Sequence, residues 1–194
     1  MESGFSFSEG VKTMRCVFMV EELSMKELLD TILPRILPNE VVPIIIPHYG
    51  KSDLEKSIGT KLRAWQDPDD IFVIVHDQDS NDCITLKTNL LSLCKNSRNA
   101  CLVRIACVEL ESWYFGDLKA LSLTYGKDFT TLANKQKFRD PDKIQNAKHE
   151  LRKIIPSYKP VSSAREIAAK MDIYNNKSHS FNVFLDGVKK MCGQ

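Results

Sequence analysis

Residues Ile71 to Cys83 read IFVIVHDQDSNDC. A short, unbroken apolar run of Ile, Val and Phe that empties into Asp, Ser and Asn fits a strand buried on both faces; a strand with one wet face would alternate. Such a strand needs cover above and below, and its neighbours in sequence supply it. Met14 to Val20 (MRCVFMV), Val41 to Pro47 (VVPIIIP) and Cys101 to Val108 (CLVRIACV) are runs of the same kind. Between them lie helical stretches. Ser24 to Leu37 places Leu28, Ile32 and Ile36 at helical spacing, with Pro34 a kink or an early end. Ser52 and Glu55 form a capping box that opens a helix toward Trp65, and Asp82 to Lys95 carries Ile84, Leu86, Leu90, Leu91 and Leu93. This βαβαβαβ order predicts an α/β fold with a mainly parallel four-stranded sheet flanked by helices.

Beyond Cys107 the pattern is helical throughout. The spacing predicts helices from about Glu111 to Tyr125, ending at Gly126, and from Asp140-Pro141 to just before Pro156. Two more are expected near Ser162 to Met171 and Phe181 to Met191. The division that follows is a core over 1–117 and a C-terminal helical extension over 118–194, packed on that core.

The chain has 194 residues, 43% of them apolar, which is the profile of a globular domain and excludes collagen, disorder and a disulfide miniprotein. No apolar run approaches the roughly 18 residues that span a bilayer, and MESGFSFSEG at the start lacks the basic and apolar segments of a signal peptide, so a cytoplasmic protein with no membrane partner is expected. Cys16, Cys83, Cys94, Cys101, Cys107 and Cys192 form no CxxC pair and read as small buried hydrophobes rather than zinc ligands or bridges. The formal charge of +2 conceals an asymmetry: residues 1–117 sum to −6 and residues 118–194 to +8. An acidic first part suits a cation and a basic second part suits a polyanion, with a solvated helical surface the bland alternative. Lys135, Lys137 and Arg139, clustered before a helix start, are the expected phosphate contacts.

Parallel sheets gather ligands beyond the carboxyl ends of their strands. The acidic residues stand there: Glu21-Glu22 after the first strand, Asp77, Asp79 and Asp82 after the third, Glu109 and Glu111 after the fourth. In extended chain, residues two apart point the same way, so Asp77 with Asp79, and Glu109 with Glu111, are expected to share a target. Carboxylates from three strands would repel one another without a cation, and hard oxygen donors favour Mg²⁺ or Mn²⁺ over zinc. Taken singly, each group has a plainer explanation: Glu21-Glu22 as charges at a helix start, Asp77 to Asp82 as a turn and cap, Glu109-Leu110-Glu111 as the polar exit of a strand. Gly50-Lys51-Ser52 is not the end of a P-loop, because the position that needs glycine five residues earlier is Ile45. Lys51 remains placed to meet a phosphate at a helix start, and His48 and His76 read as structural imidazoles.

Val20-Glu21-Glu22, followed two strands later by Asp77-x-Asp79, resembles the VEG and DxD motifs of Toprim proteins, with Glu22 in place of the usual Gly and Met25 where a second acidic residue often stands. More narrowly, HYGKSDL (48–54), HDQDSNDC (76–83), VELESWYFGD (108–117), IAAKMD (167–172) and SFNVF (180–184) are similar to signature segments of a Toprim-like bacterial family allied to the OLD (overcoming lysogenization defect) nucleases. That resemblance implies a Toprim-like core with Glu21, Asp77 and Asp79 as metal-dependent catalytic residues, Glu111 as an added acidic member and Trp113 as a family position; Asp82, close behind the third strand, is expected from its place there as a further metal ligand. It implies a Mg²⁺-dependent nuclease acting on DNA or RNA, tRNA included, in phage or mobile-element defence beside a partner ATPase. The chain is too short to add the tyrosine domain of a topoisomerase or the template-handling domains of a primase. The alternative is a non-catalytic sensor or regulatory subunit of an ATPase complex with a vestigial site, and a homo-oligomer is left open.

Overall fold

A computed structural model describes residues 13–192; the Met1 to Gly10 stretch read for a signal peptide lies outside them. Four strands, β1 (Met14–Val20), β2 (Val41–Pro47), β3 (Ile71–Asp77) and β4 (Cys101–Ala106), form an all-parallel sheet in the order β2-β1-β3-β4. The helices are α1 (Leu23–Ile32), α2 (Lys51–Ala64), α3 (Cys83–Cys94), α4 (Glu111–Phe115), α5 (Leu118–Tyr125), α6 (Ala147–Ile154), α7 (Pro160–Ala168) and α8 (His179–Met191). The expected α/β class and parallel sheet are both present, in an arrangement consistent with a Toprim-like fold. No described helix is long and apolar enough to cross a membrane.

Strand alternation divides the core into two layers. Val17 and Met19 of β1, Phe72 and Ile74 of β3, and Val103 and Ile105 of β4 face Leu54, Ile58 and Leu62 of α2 and Leu86 and Leu90 of α3. The opposite parity, Cys16, Phe18, Val20, Val73 and Val75, packs on Leu28, Leu29 and Ile32 of α1. Leu121, Leu151, Ile167, Phe181 and Phe184, all from beyond residue 118, sit in that same layer. Small residues let α7 approach α1 closely, and Arg35 caps the end of α7 by donating to the Ala168 carbonyl at 3.1 Å and the Met171 carbonyl at 2.7 Å. Along β4, Arg104 donates through Nε to the Val183 carbonyl of α8 at 3.0 Å, and a Cβ on Gly187 would stand 2.2 Å from Arg104 Nη2. Pro43 and Pro47 are tolerated in β2 because it is an edge strand.

Several boundaries differ from the sequence reading. The helix expected from Glu111 to Tyr125 is two, α4 and α5, broken at Gly116, where Asn176 Oδ1 comes within 1.9 Å of any Cβ. Asp117 then caps α5 through the Ala120 N–H at 2.9 Å, and Gly126 (φ 65°) ends it as expected. Asp140-Pro141 starts only a 3-10 turn over Pro141–Lys143, and α6 begins after Asn146, whose φ is 52°. Helix α2 starts one residue before the Ser52 capping box, after Gly50 (φ 92°), with no side-chain cap. Helix α1 ends at Ile32 and passes into a 3-10 turn that holds Pro34.

Candidate functional site

The chain leaves β1 toward β2 on one side and returns to β3 on the other, so the strand order reverses between β1 and β3. Side chains at the carboxyl ends of those two strands frame the crevice that such a reversal opens. Glu21 and Asp77 stand on its two sides, and the Asp77 N–H donates to Glu21 Oε2 at 3.4 Å. Glu111, in the first turn of α4, is fully buried. Its Oε1 accepts the Tyr158 hydroxyl at 2.8 Å, while its Oε2, Asp77 Oδ1 and the Tyr114 hydroxyl are sealed from solvent without a hydrogen-bond partner. Burial lifts the Asp77 carboxyl well above the usual carboxylate range, and the charges of Glu111 and Glu21 lift it further. Burial likewise raises Glu111 and Glu21. Unpartnered buried carboxylate oxygens cost free energy, so this edge of the sheet is held against a standing electrostatic penalty.

One cation already leans into the cluster. Lys148 of α6 brings Nζ to 3.6 Å from Glu22 Oε2 and 3.8 Å from Glu111 Oε1, and its backbone N–H donates to Glu109 Oε2 at 2.7 Å. Burial works against its charge, but Glu111, Glu22, Asp77 and Glu109 outweigh it and hold the ammonium above its usual range. With Glu21, Glu22, Met25, Asp77 and Leu110 it lines a crevice of about 10 Å³, room for about one water-sized sphere. Sequence reasoning missed Lys148, which sits in an ordinary AKHELRK helix. The basic excess after residue 118 was the one available signal.

The other expected residues are placed differently. Asp79 has φ 51° and Val108 has φ 62°, so neither acidic exit is extended and the alternation argument fails at both. The two left-handed residues are clasped together: the Asp79 N–H donates to the Val108 carbonyl at 2.8 Å, and the Val108 N–H donates to Gln78 Oε1 at 3.1 Å. Asp79 therefore does not share a target with Asp77; its Oδ2 takes Lys51 Nζ at 3.1 Å, which raises the lysine. Glu109 and Glu111 part in the same way, one to the Lys148 backbone and the other to Tyr158. Asp82 caps α3, accepting from the Thr85 N–H at 2.8 Å and the Thr85 hydroxyl at 2.7 Å. Lys135, Lys137 and Arg139 are exposed around a 3-10 turn anchored by buried Phe138, and Lys137 pairs with Glu150 at 2.6 Å. Trp113 is fully buried against Phe181 and Phe184, with Nε1–H donating to Ser180 Oγ at 2.9 Å, so it ties α4 to α8.

The donor set suits Mg²⁺ or Mn²⁺ in kind: hard carboxylate oxygens, two of them buried with no protein donor. It is not gathered into a finished cage, and among the described residues no three His, Cys, Asp or Glu side chains stand together as a ligand set.

In structure, the chain is similar to the C-terminal region of the Burkholderia pseudomallei OLD protein, with a TM-score of 0.54 at 14% identity over 92% of this chain and 98% of that one. At that identity the likeness speaks for the fold. No curated protein matches in sequence. A family model described as a domain of unknown function, DUF4276, matches residues 20–189 and so takes in every strand and helix end that frames the crevice. The chain belongs to the DUF4276 family.

Proposed function

We propose that this protein is a divalent-metal-dependent nuclease that hydrolyses phosphodiester bonds in DNA or RNA. The observation that carries the reading is the pair of buried, unpartnered oxygens, Asp77 Oδ1 and Glu111 Oε2, at a reversal of strand order that Glu21 also borders. Mutual repulsion raises the affinity of such a cluster for a divalent cation, and a substrate phosphate is drawn by the same cation. The fold likeness to the OLD protein region supports the reading.

Asp77 and Glu111, with Glu21 beside them, would hold the metal, while Asp79 stays apart on Lys51. Bound there, Mg²⁺ or Mn²⁺ would neutralise phosphate charge and lower the pKa of an attacking water. Tyr158 orients Glu111 by its hydrogen bond, and the Asp77 N–H orients Glu21, which is placed to hold or pass a proton. Lys148 offers a second positive charge to the phosphate. Lys51, at the start of α2, meets the next phosphate once it leaves Asp79. The basic surface at Lys135, Lys137 and Arg139 guides the polyanion without reading its sequence.

A second reading draws on Lys148 and Met25. An ammonium within 4 Å of Glu111 and an apolar side chain lining the crevice describe a site whose charge the protein itself partly offsets, as in a regulatory subunit of an ATPase complex. Metal-titrated cleavage of supercoiled plasmid, linear DNA and tRNA, by the chain alone and with a candidate partner ATPase, separates the two. Mg²⁺- or Mn²⁺-dependent products that disappear in Asp77→Asn support the nuclease; no cleavage under any condition, with the ATPase bound, supports the regulatory subunit.

A further inference from the structure

Beyond the carboxyl end of β2 lies a feature that the carboxylates do not use. His48 is 8% exposed, and its Nδ1 lies 2.9 Å from the Val20 carbonyl. A carbonyl only accepts, so Nδ1 carries the ring proton and Nε2 is left as the acceptor of the neutral ring. That Nε2 is buried without a hydrogen-bond partner. The next residue, Tyr49, is fully exposed, although its N–H is held by Asp53 Oδ2 at 3.0 Å. A fixed backbone thus displays a whole aromatic face to water beside an unused acceptor.

Both residues line a cleft of about 520 Å³ together with Leu23, Pro47, Gly50 and Glu22. Leu23 adds a half-exposed apolar wall. Glu22 lines this cleft and the carboxylate crevice alike. The Gly50 N–H donates to the Glu21 carbonyl at 3.0 Å, so the two depressions share one backbone wall. An occupant of the cleft must be flat and apolar on its face and must present an N–H at its edge, and on the nuclease reading it must also be joined to a phosphate that a metal at the neighbouring carboxylates would draw in. A nucleobase attached to its phosphate meets all three conditions.

We propose that the cleft is a nucleobase subsite for single-stranded nucleic acid. With a phosphodiester at Glu21 and Asp77, the neighbouring base lies on the Tyr49 ring and turns its Watson–Crick edge toward His48 Nε2. The inference rests on the nuclease reading and narrows its substrate: in a duplex that edge is paired and that face is stacked, so neither is available. Each of the common bases carries an N–H on the edge, so the subsite selects unpaired strands over duplexes and does not select sequence.

Tyr49 is wholly exposed and its removal leaves the core untouched, so binding by Tyr49 variants is the test. Fluorescence anisotropy with Mg²⁺ present would compare three probes: a phosphorothioate single strand of about 8 nucleotides, the same strand with abasic sugars, and its duplex. The wild type is expected to prefer the base-bearing strand. Tyr49→Ala should weaken that strand by about 5- to 150-fold, the loss of one stacked base, and leave the abasic strand unchanged. Tyr49→Phe should keep the wild-type affinity, and the indole introduced by Tyr49→Trp should be quenched by the base-bearing strand alone. If the wild type binds and cleaves nucleic acid but Tyr49→Ala holds the base-bearing strand equally well, the subsite is overturned and the nuclease stands. A wild type that binds none of the probes overturns both. Loss of self-association in Tyr49→Ala, with strand affinity unchanged, makes the patch a contact between copies of this chain and overturns the subsite.

Discussion

Replacing Asp77 by Asn should inactivate the protein and, without metal, make it more stable. Strand β3 has an inward aspartate at each end. Asp70, just before it, accepts from Arg15 Nε at 3.0 Å and from Trp65 Nε1 at 2.6 Å. Burial opposes its charge, yet those bonds outweigh burial and hold its carboxyl below the usual range. Asp77, at the far end, has Oδ1 buried with no donor and a carboxyl raised by burial and by Glu111 and Glu21. Asn keeps the shape of Asp and removes the charge. A buried unsatisfied group costs about 1–3 kcal/mol, so Asp77→Asn should recover a gain of that order. In a chain of this length each kcal/mol moves Tm by about 2–4 °C, which makes the expected rise about 2–12 °C. Because the folded-state pKa of Asp77 is raised, the wild type is fully stable below the unfolded carboxylate pKa and loses stability as pH climbs through the folded value. The advantage of Asn should therefore vanish in acid and grow as pH rises above the unfolded carboxylate pKa. Asp70→Asn should do the reverse, costing about 1.5–3 kcal/mol near neutrality, the worth of hydrogen bonds to a charged group, and progressively less as pH falls. Thermal unfolding followed by circular dichroism in EDTA, at several pH values, measures both. Added Mg²⁺ should then raise the Tm of the wild type and leave Asp77→Asn unmoved. A fall in Tm for Asp77→Asn at neutral pH, parallel to that of Asp70→Asn, would refute the reasoning, since it would mean that the Asp77 charge is already satisfied within the protein.

Glu21→Gln should lose cleavage and Glu22→Gln should keep much of it, because Glu21 borders the strand reversal while Glu22 faces Lys148; a matched plasmid assay with the opposite ranking moves the chemistry by one residue. Lys148→Met strips the counter-charge from Glu111 and Glu22 and should lower stability by roughly 1–3 kcal/mol as well as phosphate affinity, read by urea unfolding and by competition with inorganic phosphate. Combined replacement of Lys135, Lys137 and Arg139 by Ala should weaken binding to all sequences and reduce the salt slope by about 0.7–0.9 for each phosphate that is no longer neutralised; an unchanged slope means that these side chains are only solvated. Gly187→Ala forces a methyl group onto the Arg104 guanidinium and should destabilise the α8–β4 packing, visible as a lowered Tm.

What was legible in advance followed the range of the interaction. The limits of β1 and β2 coincide with their apolar runs, because burial on both faces is written residue by residue in hydrophobicity. Strand β3 runs on through His76 and Asp77, polar residues that pairing with Ile105 and Ala106 keeps in the ladder. The break at Gly116 was not legible, since it is imposed by Asn176, which meets it only in the folded chain. The site divided along the same line. Glu21 and Asp77 sit where strand ends put them, whereas Glu111 rides on α4 and the partners that decide their electrostatics, Tyr158 and Lys148, arrive from far along the sequence with no motif around them. The divergence of Asp77 from Asp79 turned on one backbone angle, and the residue alphabet does not announce a left-handed aspartate.

The clasp between Asp79 and Val108 makes two loops from different strands a single mechanical body. A β-branched residue at positive φ persists only where its surroundings over-determine it, and here the restraint on each loop is the other loop. Neither can swing alone without breaking the Asp79–Val108 bond. A ligand that draws Asp79 away from Lys51 therefore pulls on the turn that carries Glu109 and Glu111. The rim of the crevice would answer a push at its exposed corner with a shift at its buried floor, transmitted through two hydrogen bonds rather than through the helices.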